Sequence, residues 1–275
     1  MKNSFDQLIA AIARDLSGKK AVLGISGGKD SSIAAALLTI ALGKENVFGV
    51  SMPNGDGSAD EPFVEMLEEN LGISVKRTNI KKIYEAHLAQ MGDMEVLDDT
   101  KINLPARIRM AMLFMFAQSI PNARVINTCN LSEDMMGYST LFGDFAGSYA
   151  PLKYFTVTEL REQIGQILID QYKFPEKLIN RPPSDGLCGL DDEQKMGLQY
   201  AEIDWYIRNG TVNPMIWVLV PRENQTAYAV DRINKIRTRY EANKFKLDIV
   251  NIPGPSIDHM QGKNYLLYPN NGETN

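Results

Sequence analysis

Apolar positions in the first half of the chain switch repeatedly between two spacings. Phe5, Leu8, Ile9, Ile12 and Leu16 recur at helical intervals, so an amphipathic helix leads the chain. Residues 21–23 form a short apolar, partly β-branched run, which predicts a buried strand. The Ala- and Leu-rich run 33–42 predicts a helix that begins near Asp30. The alternation continues with strands over 47–52, 74–80 and 123–128. Between them stand helices over 59–71, 82–90 and 105–119, and another starts at 131–136. Strands alternating with helices imply an α/β fold, a doubly wound parallel sheet with helices on both faces. Ligands in such sheets sit at the carboxyl ends of the strands.

The helix over 105–119 stands apart. Pro105 suits its first turn, and the acidic stretch 91–100 before it reads as irregular. Met110 to Phe116 is apolar nearly all round, so this helix is expected to be buried on every side, in the core or at a subunit interface. Further on, 158–172 reads as a helix capped by Thr158. Residues 193–209 and 224–242 read as further helices, so the C-terminal part is helical. Residues 137–151 and 182–192 read as loops, and the tail after Pro253 as irregular. With no internal repeat and no linker, residues 1–275 are expected to form one domain.

Composition narrows the chemistry by exclusion. Hydrophobic content of 44% and charged content of 23% are ordinary for a water-soluble chain. The 29 basic and 34 acidic residues give a net charge of −5, which argues weakly against nucleic acid as a general partner and leaves room for a local basic pocket. Two cysteines and two histidines give little support to a disulfide framework, a zinc site or a histidine triad. The longest apolar run is far short of the roughly 20 residues needed to span a bilayer. The start of the chain lacks an apolar signal core. These features point to a cytoplasmic protein with no membrane partner.

The chemistry concentrates in Gly24-Ile25-Ser26-Gly27-Gly28-Lys29-Asp30-Ser31-Ser32, at the first strand-to-helix turn. A helix N-terminus presents unpaired N–H groups and partial positive charge, so it binds phosphate. Gly27 and Gly28 let a phosphate approach the backbone, and Ser26, Ser31 and Ser32 offer hydroxyls. Lys29 can offset phosphate charge, and Asp30 can hold magnesium. Two commoner phosphate loops do not fit. Three residues separate Gly24 from Gly28, where a P-loop needs four, and the dinucleotide glycine spacing is absent.

The stretch resembles the S-G-G-x-D-S signature of the ATP pyrophosphatases, which transfer AMP and release pyrophosphate. Later segments add to the likeness: Asn103-Leu104-Pro105-Ala106-Arg107-Ile108-Arg109, Asn127-Thr128-Cys129-Asn130-Leu131-Ser132-Glu133, Gly137 to Asp144, and Pro183-Ser184-Asp185-Gly186-Leu187. In this order and spacing they resemble the ammonia-dependent NAD synthetases, across roughly residues 16–244. The resemblance implies an adenine nucleotide hydrolase-like fold and a homodimer. It also implies ATP-dependent amidation of deamido-NAD by ammonia through an acyl adenylate.

Carried over by position, Gly24, Ile25, Ser26, Gly27, Gly28, Lys29, Asp30, Ser31, Thr128 and Ser184 would bind ATP. Asp30 and Glu133 would be the catalytic pair that holds Mg2+. Arg107, Asn130, Asp144, Asn243 and Lys244 would bind the dinucleotide. Asn243 stands where the family has histidine. Leu141 replaces a usual basic residue, Ser148 an acidic one, and Val157 an ATP-binding lysine found in many members.

Other readings stand beside these. Cys129 reads as a packing residue, since no histidine partners it. Arg107 and Arg109 alternatively serve a helix start against nearby acids. The enzyme rival is another AMP-forming ligase of the superfamily. The rival from a different class is a non-catalytic nucleotide-binding relative. Only about 20 residues precede the first strand and no Glu-Lys-Cys module is present, so free ammonia rather than glutamine is the expected nitrogen donor.

Overall fold

The structure, a computed structural model, describes residues 2–181, 192–257, 264 and 266. Four parallel strands form its sheet: β1 Lys20–Gly24, β2 Val47–Ser51, β3 Ser74–Arg77 and β4 Ala123–Ile126. Their spatial order is β3-β2-β1-β4. The chain leaves β1 to build β2 and β3 on one side, then returns to lay β4 on the other. Leu23 therefore pairs with Gly49 on one flank and with Ile126 on the other. The order reverses at β1, and the carboxyl ends of β1 and β4 open a crevice where such sheets take ligands.

The period of two in a strand sends neighbouring side chains to opposite faces. Ala21 and Leu23 join a core beneath helices α1 Lys2–Asp15, α2 Lys29–Leu42 and α3 Glu61–Leu71. Val22 joins Val50, Ile80, Ile108 and Val125 on the other face, under α4 Lys81–Ala89 and α5 Asp98–Gln118. The second half is helical. It runs α6 Leu131–Met136, α7 Val157–Glu159, a π-helical stretch Leu160–Gly165, α8 Gln166–Tyr172 and α9 Glu176–Ile179. It continues through α10 Asp192–Met196, α11 Tyr200–Asn209, α12 Pro214–Trp217, α13 Gln225–Asn243 and α14 Phe245–Ile249. Met136, Ile203, Tyr206 and Ile236 form a second core that joins α6, α11 and α13.

Several boundaries differ from the sequence reading. α5 begins at Asp98, so Pro105 lies inside the helix and not in its first turn. Asp98 and Asp99 supply the favourable negative first turn, and Lys101 donates to Asp98 at 3.0 Å. Within one chain α5 is covered by the sheet on one side only: Pro105, Ile108 and Ala117 are buried, whereas Met115 is 50% exposed, so the core does not enclose it and a subunit interface is the expectation that remains. The third strand stops at Arg77, although Thr78 and Ile80 still donate N–H to Ser51 and Pro53, each at 2.9 Å.

The helix predicted over 158–172 is capped by Thr156, two residues earlier. Glu159 N–H donates to Thr156 Oγ1 at 3.3 Å, and Thr156 N–H donates to Glu159 Oε2 at 2.9 Å. Thr158 instead spends its hydroxyl on Asp204. The helix predicted over 193–209 is broken by Gly197, at φ +63°. Most of the loop predicted over 182–192, with Ser184, Asp185 and Cys188, lies outside the described residues.

Candidate functional site

The Gly24–Ser31 turn lies between the end of β1 and the first turn of α2, as its composition predicts. A small hydroxyl network shapes it. Ser31 Oγ donates to Gly28 O at 3.1 Å, and Gly28 N–H donates to Ser26 Oγ at 3.2 Å. The two hydroxyls lie 3.2 Å apart. Gly27 takes φ +71°, and a Cβ there would sit 2.8 Å from Phe63 Cβ. Glycine is thus required twice over, by conformation and by space. Lys29 is almost fully buried, and its ammonium pairs with Asp30.

Asn130 joins the start of α6 to the first turn of α2. Its Nδ2 donates to Asp30 Oδ1 at 3.3 Å, and its backbone N–H donates to Glu133 Oε2 at 3.1 Å. Its Oδ1 accepts from Glu133 N–H at 3.1 Å, which completes a capping box at the start of α6. Asp30 and Glu133, a hundred residues apart in sequence, therefore meet through one asparagine. Burial, and then the Asp30 carboxylate, push the Glu133 carboxyl well above its ordinary range, with Lys29 opposing. Two carboxyl groups joined through Asn130 offer hard oxygen donors of the kind magnesium takes. Among the described residues no cluster of three or more such ligands forms, so water and phosphate oxygens would complete the shell.

The loop after β4 holds the neighbouring segment in place. Asn127 Nδ2 donates to Asp144 O at 2.8 Å, and Asp144 Oδ1 accepts from Thr140 N–H at 2.7 Å. Thr128 is half-buried in this loop. Cys129 is buried, its thiol donates to Asp144 O at 3.5 Å, and burial raises its pKa well above the usual value. That environment fits the packing reading of Cys129.

The proposed dinucleotide residues are only partly brought together within one chain. Arg107 is exposed on α5, and its Nε donates to Leu141 O at 3.4 Å. Asn243 lies against Gly137 at the near end of the same loop. Lys244 does not reach that loop: its ammonium pairs with Glu241 at 2.6 Å. Lys246 does, donating to Gly137 O and Ser139 O at 2.7 Å each.

Two arginines to which the sequence assigns no ligand-binding role stand near this turn and loop. Arg109 donates to Met52 O at 2.9 Å and interacts electrostatically with both Asp144 and Asp60. Its sequence signal was a charge inside an apolar helix. Arg181 sits beside Gly27, and no local pattern marks it.

Comparison with known proteins identifies the family. The family model described as NAD synthase matches residues 2–250. An NH(3)-dependent NAD(+) synthetase of Methanosarcina mazei is 34% identical over 92% of this chain and 98% of its own. One of Pyrococcus furiosus is 38% identical over 87% and 89%. Among solved structures, an NMN synthetase from Francisella tularensis aligns with a TM-score of 0.70 at 29% identity, covering 89% of this chain and 94% of that one. An NH3-dependent NAD synthetase from Campylobacter jejuni aligns at 0.68 and 26%, covering 89% and 95%. The fold is that of the adenine nucleotide hydrolase-like proteins. Matched along most of its length by the family model and by relatives more than 30% identical, the chain belongs to the NAD synthase family.

Proposed function

We propose that this chain is an ammonia-dependent ligase that converts deamido-NAD to NAD at the expense of ATP. Family membership supports the reaction class. The observation that carries the reading is the meeting of Asp30, Asn130 and Glu133 beside the Gly24–Ser31 turn. In the first step a nicotinate carboxylate oxygen bonds to the α-phosphorus of ATP, and the bond to pyrophosphate breaks. In the second, ammonia nitrogen bonds to the acyl carbon, the bond to AMP breaks, and a proton is released. No protein nucleophile is needed, so catalysis is alignment and charge neutralisation.

The turn Gly24–Ser31 would cradle the departing pyrophosphate, with Thr128 and Ser184 as further ATP contacts. Asp30 and Glu133 would hold magnesium, which when bound neutralises phosphate charge. Arg107, Asn130, Asp144, Asn243 and Lys244 would hold the dinucleotide. Lys244, paired to Glu241, would have to exchange that partner to do so. Leu97, Ile102 and Met115, exposed on or beside α5, favour a homodimer across this helix. Among the described residues no helix is long and apolar enough to cross a membrane. The proposed enzyme is one ATP pyrophosphatase-like domain that works in the cytoplasm.

A second reading, amidation of nicotinate mononucleotide, is favoured by the likeness to the NMN synthetase and by Leu141 and Ser148, which stand where the resemblance expects charged substrate contacts. Pyrophosphate release with ammonia, assayed with deamido-NAD, with the mononucleotide and with neither, decides. Release that depends on deamido-NAD supports the first reading, and preference for the mononucleotide supports the second. Release with neither, or none at all, removes both.

A further inference from the structure

We propose that Arg181 is a catalytic residue of this site, a phosphate-binding arginine that neutralises the β,γ end of ATP and the departing pyrophosphate. The inference rests on the ligase reading above and adds a residue that the motifs do not mark. Arg181 follows α9, far in sequence from the Gly24–Ser31 turn, yet its Nη1 lies 3.1 Å from where a Cβ on Gly27 would be. The missing side chain of Gly27 is what allows the guanidinium this close.

Three neighbours hold the group there. Its plane lies over the Phe63 ring, 4.2 Å from guanidinium carbon to centroid. Its Nη2 pairs with Asp60, at the start of α3. Gly27 forms the third side. Nη1 makes no hydrogen bond among the described residues, and the side chain keeps 23% of its surface open.

Clamped on one face and one nitrogen, an arginine offers a fixed fork with donors to spare, the form suited to phosphate oxygens. Lys29 cannot do the same, because it is buried and paired with Asp30. The two cations thus divide the turn. Lys29 serves the Asp30 end, and Arg181 serves the Gly27 end. The bond from α-phosphorus to pyrophosphate breaks with both electrons leaving on the pyrophosphate oxygen. The charge that develops there is what Arg181 would meet.

Calorimetry with inorganic pyrophosphate and magnesium tests this without turnover, on wild type, Arg181→Met and Arg181→Lys, each checked for folding by thermal melting. Arg181→Met is expected to weaken pyrophosphate binding about ten- to a hundred-fold. Arg181→Lys should recover part of the loss, since it restores charge but not the fork. In steady-state assays the KM for ATP should rise with it, while the KM for the nicotinate substrate stays put. Binding by Arg181→Met within two-fold of wild type overturns the assignment, as does a wild type that binds no pyrophosphate. A wild type that binds pyrophosphate in an Arg181-dependent way yet amidates nothing would instead refute the ligase reading and leave Arg181 in place.

Discussion

Asn130 Nδ2 donates to Asp30 Oδ1 across 3.3 Å, while the same side chain caps α6 through Glu133 N–H. One fully buried amide thus fixes a helix start and orients a carboxylate in the first turn of another helix, α2. The two roles are separable. Asn130→Ala should lower stability by about 1 kcal/mol, the usual loss for a cap. Asn130→Ser keeps the cap but is too short to reach Asp30. It should stay near wild-type stability and still lose about ten-fold in turnover, the scale of one hydrogen bond to a charged group. Urea midpoints and kcat measured together check this, and wild-type turnover in the serine variant would remove the Asp30 hydrogen bond from the argument.

Glu133 sits at the third position of α6, inside a capping box, so its removal also unsettles the helix. Glu133→Gln retains an acceptor for Asn130 N–H and removes the charge. Asp30→Asn does the same at the other carboxylate. Each should lower turnover about two to three orders of magnitude, as removal of a transition-state electrostatic interaction does. The melting temperature of Glu133→Gln should hardly move, whereas Asp30→Asn leaves the buried Lys29 ammonium without its charged partner and should melt lower. Rates measured at limiting magnesium are the check, and two variants at wild-type rates would mean that the ion lies elsewhere.

Much of this site was legible because its parts are local. The Gly24–Ser31 turn announces itself through glycines and hydroxyls beside a strand and a helix, and the structure puts it at the sheet's switch point. What was not legible is what depends on distant partners. Thr158 reads as a cap, yet Asp204 on α11 takes its hydroxyl and Thr156 caps instead. Pro105 reads as a first-turn residue, yet the acidic turn at Asp98 starts α5 two turns earlier. Lys244 matches a motif, yet Lys246 is the lysine that reaches the 137–139 carbonyls. Arg181 had no local pattern at all, since only the closeness of Gly27 gives it meaning.

Leu141 stands in the loop that Arg107 touches through its backbone carbonyl. Without a charged side chain at this position, substrate binding would be weaker by about ten- to a hundred-fold. Leu141→Arg should therefore lower the KM for deamido-NAD while leaving the KM for ATP unchanged. Michaelis kinetics with deamido-NAD and with nicotinate mononucleotide report the outcome. A raised KM for deamido-NAD in the variant would mean that the loop is tuned for a different carboxylate.

The nitrogen donor is a separate question from the acceptor. Among the described residues the cysteine is Cys129, and burial raises its thiol well above the usual pKa, which makes it a poor glutaminase nucleophile. The purified chain should form the amide with ammonium salts and show no glutamine-dependent activity. Amide formation with glutamine, in a preparation free of ammonia, would be the contrary result.

Asp204 gives the fold a pH dependence of known sign. On α11 it accepts from Ser132 Oγ, and from Thr158 N–H and Oγ1, each of the latter at 2.7 Å. Ser132 Oγ in turn accepts from Val157 N–H at 3.0 Å, so one carboxylate ties α6 to α7. Burial raises its pKa from 3.8 to about 6, outweighing hydrogen bonds that pull the other way. Between those values the unfolded chain is ionised while the folded chain keeps its proton. Unfolding there releases a proton, so this group's contribution to stability is full below about pH 4 and lost as pH rises to about 6. The loss is about 3 kcal/mol at most, from about 1.4 kcal/mol per pH unit. Asp204→Asn cannot ionise and removes the slope. It also replaces one acceptor oxygen with a donor, which lowers stability at every pH. Urea unfolding of both proteins from pH 4 to 7 should show the wild type losing ground to the variant up to about pH 6 and then running parallel. Curves parallel throughout would mean that Asp204 ionises in the folded chain as readily as in the unfolded one, with the Ser132 and Thr158 donors cancelling its burial.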